Sequence, residues 1–224
     1  PYLSRGLGDV YKRQLLGTEG SHALDGDLDN IRRLYDAGFR MMSLQHFFDN
    51  KLGGSLHGES NAGLTEFGRE AVRLMDSMGI MIDVSHSSPQ VVDDVLNLID
   101  SPLIVSHTGF KGHCDRKRNI SDDLMMRIAE RGGLMGVGFW SEAVCGTDVT
   151  AIADAIAYGV ETFGVEAVAL GSDWDGAVTT PIAANDLAYL TSALLKRGLS
   201  EDDIRSVMGG NTVQYFLEHL PATD

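Results

Sequence analysis

Two histidines follow short apolar runs in the middle of the chain, and both are candidate metal ligands. His86 ends the run MIDVSH, and His107 lies near the end of LIVSHT. Glu19, His46 and Asp173 follow three other apolar runs in the same way. Imidazole together with carboxylate suits Zn²⁺, with Mn²⁺, Fe²⁺ or Co²⁺ as other candidates. Glu19, His86 and His107 would supply three ligands and leave a position for water, as catalytic zinc sites do.

The sequence also indicates which mechanisms such a site could use. Asp173, in the segment GSDWDG, is a carboxylate that can act as a base for metal-bound water. Ser85 and Ser106 precede the two histidines, but no G-x-S-x-G motif accompanies them. The sequence has no phosphate-binding loop motif either. A lone strand-end histidine is more often a structural residue than a ligand, so the metal hypothesis depends on the five positions taken together.

The runs that carry these side chains are predicted to be buried strands, because they are continuously apolar rather than alternating. Amphipathic helical patterns lie between them, with Thr65, Ser88 and Ser121 as N-caps and Pro89 at a first helical position. The predicted strands are residues 15–20, 39–46, 81–86, 103–108, 134–140 and 167–176. The predicted helices are residues 26–38, 64–79, 88–100, 121–133, 148–164, 185–198 and 200–220, the last broken at Gly209–Gly210.

Strands and helices alternate at intervals typical of βαβ units and a parallel sheet. In a (β/α)₈ barrel the C-terminal ends of all strands form one rim, where active sites are built. In a doubly wound sheet only the strand ends beside the switch point meet. Reactive side chains at five strand ends therefore favour an α/β fold of the TIM-barrel, metal-dependent hydrolase type. With about six strand–helix units, two strands fewer than a closed barrel needs, we expect it to be incomplete. The irregular segment 47–63 could cover the site.

Composition bounds the class of protein and its partners. The 224 residues are 43% hydrophobic and 22% charged, as in an ordinary globular domain. With 18 basic and 32 acidic residues the formal net charge is −14, which argues against nucleic acid as a partner. No apolar run is long enough to span a membrane, and no signal peptide is evident, so we expect a cytoplasmic location. We expect residues 1–14 to be a non-native or disordered tail and residues 15–224 to form one metallo-hydrolase barrel domain.

Several blocks of the sequence resemble the membrane dipeptidase (renal dipeptidase) family, peptidase family M19. The resemblance runs from about residue 15 to residue 217, and FWSEAVCGT and GAVTTP look most like bacterial members. It implies a metal-dependent barrel that hydrolyses dipeptides at a binuclear zinc site. The matching blocks are GTEG, GFRMMSLQH, GLTEFGREAVRLMDSMGIMIDVSHSS, PLIVSHT, RKRNISDDLMMRIAERGGLMGV and VALGSDWDG.

The resemblance also implies a set of metal ligands. Glu19 matches the carboxylate that bridges the two metals, and His86 and His107 match the histidines of the second metal. The family's first strand carries a His-x-Asp motif that binds the first metal, and no such motif precedes Glu19 here. The resemblance therefore implies that the first strand or strands of the barrel are missing, and we expect one zinc site to be incomplete and the chain to be a weakly active fragment.

Three further roles concern the substrate and the proton, and they too are implied by the resemblance. His46 matches the histidine that contacts the substrate and the tetrahedral intermediate. Arg118 matches the arginine near the carboxylate of the dipeptide substrate, which would restrict substrates to very short peptides. An ion pair of Arg118 with the acids of SDD (121–123) is the alternative. Asp173 matches the acid that handles the proton of the bridging water.

Other functions and features are left open by the sequence. The site could act on another small amide, such as a lactam or an N-acyl amino acid, or the barrel could be a catalytically inactive binding protein. Cys114 and Cys145 follow the fourth and fifth strands and should lie on the same rim. Some family members pair cysteines in these loops, whereas a cytosolic chain would keep both thiols reduced. A homodimer is among the assemblies that we consider.

Overall fold

Six short parallel strands form one sheet, and their order in the sheet is their order in the chain. Among residues 15–221, which are those that the computed structural model describes, β1 and β6 have one strand neighbour each, so the sheet is open between them. A doubly wound sheet would reverse its strand order; the sequential order is that of a (β/α)₈ barrel and confirms the predicted barrel-type fold with six strand–helix units. The strands are β1 (Leu16–Thr18), β2 (Phe39–Ser43), β3 (Met81–Asp83), β4 (Ile104–Thr108), β5 (Leu134–Val137) and β6 (Val168–Leu170).

The helices lie between the strands where the sequence predicts them. The last predicted helix is divided by a π-turn at Ser206–Gly210, where Gly209 has a φ of 152°; the predicted break at Gly209–Gly210 is therefore confirmed. Within residues 15–221 none of these helices combines the length and apolar character needed to cross a bilayer. The helices are α1 (Asp29–Asp36), α2 (Glu66–Ser77), α3 (Pro89–Leu98), α4 (Asp122–Glu130), α5 (Ser141–Val144), α6 (Val149–Phe163), α7 (Leu187–Lys196), α8 (Glu201–Arg205) and α9 (Asn211–His219). The short helix α5 was not predicted.

Two of the predicted caps determine where helices begin. Thr65 accepts a hydrogen bond from the N–H of Gly68 at 2.9 Å, and Ser88 accepts one from Val91 at 3.1 Å. Each hydroxyl satisfies one of the free N–H groups at a helix start, which stabilises the helix by about 1 kcal/mol. Ser121 is at the N-cap of α4 but makes no such bond. The predicted tail at residues 1–14 lies outside the described residues.

The main core lies between the sheet and the helices around it. Strand residues such as Ile82, Val105 and Val168 pack there against helix residues such as Val95 and Ile156, and all are at most 2% exposed. Burial of one such side chain contributes about 1.5–3 kcal/mol. This layer holds each strand against its helix, so the strand ends are in fixed positions.

A smaller apolar cluster closes the N-terminal end of the sheet. Met81, Ile104 and Leu134, the first residues of three strands, pack there with Tyr215 from α9. The Tyr215 hydroxyl donates to the carbonyl of Pro102 at 2.9 Å, and burial raises the pKa of this tyrosine. Polar chemistry is therefore left to the opposite, C-terminal end of the strands.

Four of the predicted site residues lie beyond the strands that were predicted to contain them, and Glu19 does so by one residue, since β1 ends at Thr18. β2, β3 and β6 end at residues 43, 83 and 170, three residues before His46, His86 and Asp173. The backbone explains this for two of them, since His86 has a φ of 62° and Asp173 a φ of 59°. Positive φ is incompatible with an extended strand. The predicted strand boundaries are therefore wrong at these C-terminal ends, although the strands themselves are present.

Candidate active site

The side chains of Glu19, His86 and His107 meet at the C-terminal end of the sheet. Glu19 Oε1 lies 3.2 Å from His86 Nε2 and 3.3 Å from His107 Nε2, and the two ring nitrogens are 2.9 Å apart. Both histidines are buried, whereas Glu19 directly follows the edge strand β1 and its side chain is 44% exposed. The structure thus brings the three predicted metal ligands together.

The charges of this group suit a cation. Close contacts with the rings of His107 and His86 hold the pKa of Glu19 well below its usual range. Burial lowers the pKa of His86 to about 4, although its hydrogen bond with Glu19 acts in the opposite direction. At neutral pH Glu19 is therefore negative and His86 is neutral, with a ring lone pair available to a metal.

A divalent cation also fits the chemistry of the donor atoms. The Nε2 atoms of His86 and His107 are 2.9 Å apart and can share one proton. That proton cannot also satisfy Glu19, so one contact among these three groups lacks its hydrogen bond unless a cation lies between them. A carboxylate oxygen is within 3.3 Å of both nitrogens. Two imidazoles and a carboxylate are ligands that Zn²⁺ prefers in proteins.

Two more predicted site residues adjoin this group. Glu19, His46 and His86 offer ligand atoms within 4.8 Å of one another, and Glu19, His107 and Asp173 form a second group of the same kind. His46 Nε2 is 3.5 Å from Glu19 Oε1. Burial raises the pKa of Asp173, while the charge of His107 opposes that shift. A carboxyl group with a raised pKa can more readily take up and release a proton.

Arg118 is a buried cation beside the same group. It is 8% exposed, and its guanidinium donates to the carbonyl of His107 at 2.9 Å and to Thr108 Oγ1 at 3.2 Å. Burial lowers its pKa to about 10, so it is charged at neutral pH. Its third hydrogen-bonding partner among residues 15–221 is the ring of His86, so no carboxylate is among them. The alternative of an ion pair with SDD is wrong, because Asp122 instead accepts hydrogen bonds from Tyr158 and Gly112.

A cavity of about 480 Å³ is lined by Glu19, His46, His86, Arg118 and Asp173. Its wall includes His57, whose Nε2 is buried without a hydrogen-bond partner in the described part of the chain. Burial, together with the charge of Arg118, lowers the pKa of His57. Phe47, Trp140 and Asp175 also line the cavity. Sequence reasoning missed these four; the only signal was that His57 and Phe47 belong to the segment 47–63, which was predicted to cover the site.

A disulfide bond connects two loops beside the cavity. Cys114 and Cys145 are bonded, with their Cα atoms 5.5 Å apart. The expectation that both lie on one rim is therefore confirmed, and the open question of their pairing is answered. The bond connects the loop that carries Arg118 to the segment after Trp140, so two walls of the cavity are covalently joined.

Comparison with known proteins identifies relatives over most of the sequence. Residues 11–219 match the family model described as membrane dipeptidase (peptidase family M19). Dipeptidase aclJ of Aspergillus oryzae is 33% identical over 218 residues, which are 92% of this chain and 52% of that protein. The chain thus spans about half the length of this curated relative.

Solved structures show the same likeness. A metallopeptidase from Rhodobacter sphaeroides, liganded with a phosphinate mimic of the dipeptide L-Ala-D-Ala, is 26% identical with a TM-score of 0.80; the match covers 92% of this chain and 62% of that one. The dipeptidase AC, a metallopeptidase of family M19, is 25% identical with a TM-score of 0.82, and the match covers 93% and 66% of the two chains. Since the family model matches nearly the whole sequence, this chain belongs to the membrane dipeptidase family, peptidase family M19.

Proposed function

We propose that this chain carries the active site of a zinc-dependent dipeptidase. One observation supports this above the others: Glu19 and His86, which meet His107, line the cavity that also holds Arg118, a buried cation without a hydrogen-bonded acidic partner among the described residues. A metal beside a buried arginine suits hydrolysis of a very short peptide, because the arginine can bind the terminal carboxylate while the metal is near the scissile bond. The phosphinate dipeptide mimic bound to the Rhodobacter relative supports the same substrate class.

Glu19, His86 and His107 would hold the metal through one carboxylate oxygen and two Nε2 atoms. We choose zinc because of the two imidazole ligands. A bound zinc supplies a nucleophilic water at neutral pH and polarises the scissile carbonyl. Glu19 also belongs to the group with Asp173, which is compatible with the bridging role that the family resemblance implies.

Asp173 and His46 would do the proton and charge chemistry. Asp173 is beside Glu19 and His107, and its raised pKa suits a group that takes a proton from the attacking water and gives it to the leaving amine. His46 lies on the other side of Glu19 and lines the cavity, where its ring can donate to the developing oxyanion.

Arg118 would bind the terminal carboxylate of the substrate. Asp173, Asp175 and Glu142 line the same cavity, so its wall carries charges of both signs, as a zwitterionic dipeptide requires. An N-acyl amino acid has a carboxylate but no free ammonium group, and a simple lactam has neither, so acceptance of those amides distinguishes the alternatives. The cytoplasmic location and the homodimer stay predictions; the disulfide favours an oxidising compartment over the cytosol.

The test measures zinc content and hydrolysis of L-Ala-D-Ala by the full chain. We expect about one tight Zn²⁺ per chain, because Glu19, His86 and His107 place their ligand atoms within 3.3 Å of one another, and His86→Ala should abolish this binding. His219→Ala, at the opposite end of the sheet, is the matched control and should keep the zinc. We expect turnover far below that of a full-length family member. A chain that binds no zinc, or binds zinc equally well without His86, would contradict the proposal.

A further inference from the structure

A buried carboxylate lies next to the metal-ligand group but is not part of it. Asp83, the last residue of β3, is 2% exposed. Its Oδ1 accepts hydrogen bonds from the N–H groups of Ser85 and Ser106 at 2.9 and 3.0 Å, and its Oδ2 accepts the hydroxyl of Ser106 at 2.6 Å. A backbone N–H can only donate, so Asp83 is held as an acceptor that faces the strand carrying His107.

The hydroxyl of Ser106 connects this carboxylate to His107. Ser106 Oγ lies 2.9 Å from His107 Nδ1 and 3.1 Å from Ser85 Oγ. A serine hydroxyl has one hydrogen to donate and two lone pairs that accept. The bond to Asp83 is the shortest of the three, and a carboxylate is the strongest acceptor, so the hydrogen points there. The two lone pairs then accept from Ser85 and from an N–H at Nδ1 of His107.

We infer that Asp83, acting through Ser106, is a positioning residue that keeps a proton on Nδ1 of His107 and thereby leaves Nε2 as the metal-binding nitrogen. This inference rests on the proposed metal site. Glu19, 3.3 Å from Nε2, acts in the opposite sense, because a carboxylate attracts a proton to the nitrogen that it faces. Without the Asp83–Ser106 pair, His107 would carry its proton on Nε2 and would have to change tautomer before it bound a metal.

His86 has no such support. Its Nδ1 is buried and has no hydrogen-bond partner among residues 15–221. The two histidines therefore differ: the ring of His107 is oriented by a chain of buried hydrogen bonds, and the Nδ1 atom of His86 is not. Groups that orient a ligand in this way commonly change metal affinity when they are altered.

The direct test is the protonation state of His107 in the metal-free full chain. With ¹⁵N-labelled imidazoles at about pH 8, where an ordinary histidine is neutral, long-range ¹H–¹⁵N NMR spectra distinguish a protonated from an unprotonated Nδ1. The His107 signals are assigned from their loss in His107→Gln. We expect Nδ1 to be protonated. Asp83→Asn should reverse the direction of these hydrogen bonds, because its amide donates to Ser106 and the Ser106 hydroxyl then donates to Nδ1 of His107. The proton of His107 should therefore move to Nε2.

Two further variants keep the test decisive. Ser43→Ala removes another buried serine hydroxyl, one at the end of the neighbouring strand β2 that donates to the carbonyl of Gln45, and should leave Nδ1 of His107 protonated. Ser106→Ala removes the acceptor at Nδ1 and should move the proton to Nε2, even if Asp83→Asn does not fold. An unprotonated Nδ1 in the wild type, or a protonated Nδ1 in folded Asp83→Asn or Ser106→Ala, overturns the inference.

Zinc affinity gives a second measurement, separate from catalysis. Competition with a chelator should show Zn²⁺ binding about 10- to 100-fold weaker in Asp83→Asn, with no change in Ser43→Ala. Equal affinity of Asp83→Asn and wild type overturns the inference. The proposed function fails independently: a chain that has the expected tautomer and zinc affinity but does not hydrolyse dipeptides refutes the dipeptidase proposal alone.

Discussion

Replacement of Arg118 by methionine should abolish recognition of the substrate's terminal carboxylate. Arginine has five N–H donors, and in this structure three of them face the His107 carbonyl, Thr108 Oγ1 and the ring of His86. The others are available to a ligand in the cavity. Arg118→Met removes these donors and the charge and retains an unbranched side chain of similar length.

The magnitude follows from the burial and charge of Arg118. A hydrogen bond to a charged group contributes about 1.5–3 kcal/mol, and a two-point contact at a residue this buried should contribute about 3 kcal/mol to substrate binding. At 1.4 kcal/mol for each factor of ten, kcat/KM should fall roughly 10²-fold. Among the side chains of the proposed metal ligands, the guanidinium contacts only the ring of His86. Most of the fall in kcat/KM should therefore appear as a higher KM.

The assay compares L-Ala-D-Ala with its C-terminal amide as substrates. The wild type should prefer the free carboxylate by about the same factor of 10², and Arg118→Met should lose that preference because it can no longer distinguish the two. Arg116→Met, an exposed arginine in the same loop, is the matched control. Thermal unfolding of each variant reports whether the fold is intact. A preference for the free carboxylate that survives in a folded Arg118→Met would refute this role of the arginine.

Three other predictions concern the disulfide bond and the stability of the fold. The native chain should show no reactive thiol under denaturing, non-reducing conditions and two after reduction, because Cys114 and Cys145 are paired; two thiols before reduction would exclude the bond. Asp49 accepts hydrogen bonds from the N–H groups of Ser55 and Ser60, which lower its pKa. The depressed pKa makes this contribution complete above the ordinary aspartate value of 3.8 and lost as the pH falls through the folded-state value, so the stability difference between wild type and Asp49→Asn should shrink in that range. Tyr215→Ala should lower the free energy of unfolding by about 3–5 kcal/mol in denaturant titrations, as expected for loss of a buried aromatic ring.

The fold could be predicted well from the sequence because its signals are local. Continuous apolar runs, helix caps such as Thr65 and Ser88, and the paired glycines at Gly209–Gly210 each report on a few neighbouring residues. The strand ends could not be predicted, because a positive φ at His86 or Asp173 is imposed by the loop around it and not by the residue type. The strands were therefore predicted to be longer than they are.

The candidate site was predictable only where it follows from the fold. Parallel strands bring their C-terminal ends to one rim, so Glu19 and the two histidines could be expected to meet there. The lack of an acidic partner for Arg118 could not be predicted, because it depends on where every nearby carboxylate lies. Asp83 was visible as an acid within an apolar run, but its hydrogen bonds to the next strand depend on the register of β3 and β4.

The two histidines of the metal-ligand group are held more firmly than Glu19, and this difference affects how the group would bind a metal. His86 follows β3 and His107 lies in β4, each of which pairs with a strand on either side, and both rings are buried. Glu19 follows β1, which among the described residues pairs only with β2, and its carboxylate is 44% exposed. Affinity for a metal depends on how firmly ligands are kept in place before binding. The histidines, and Asp83 behind His107, therefore determine where a metal would lie, while Glu19 has the freedom to adjust its carboxylate to the metal and to the water that it would share with Asp173.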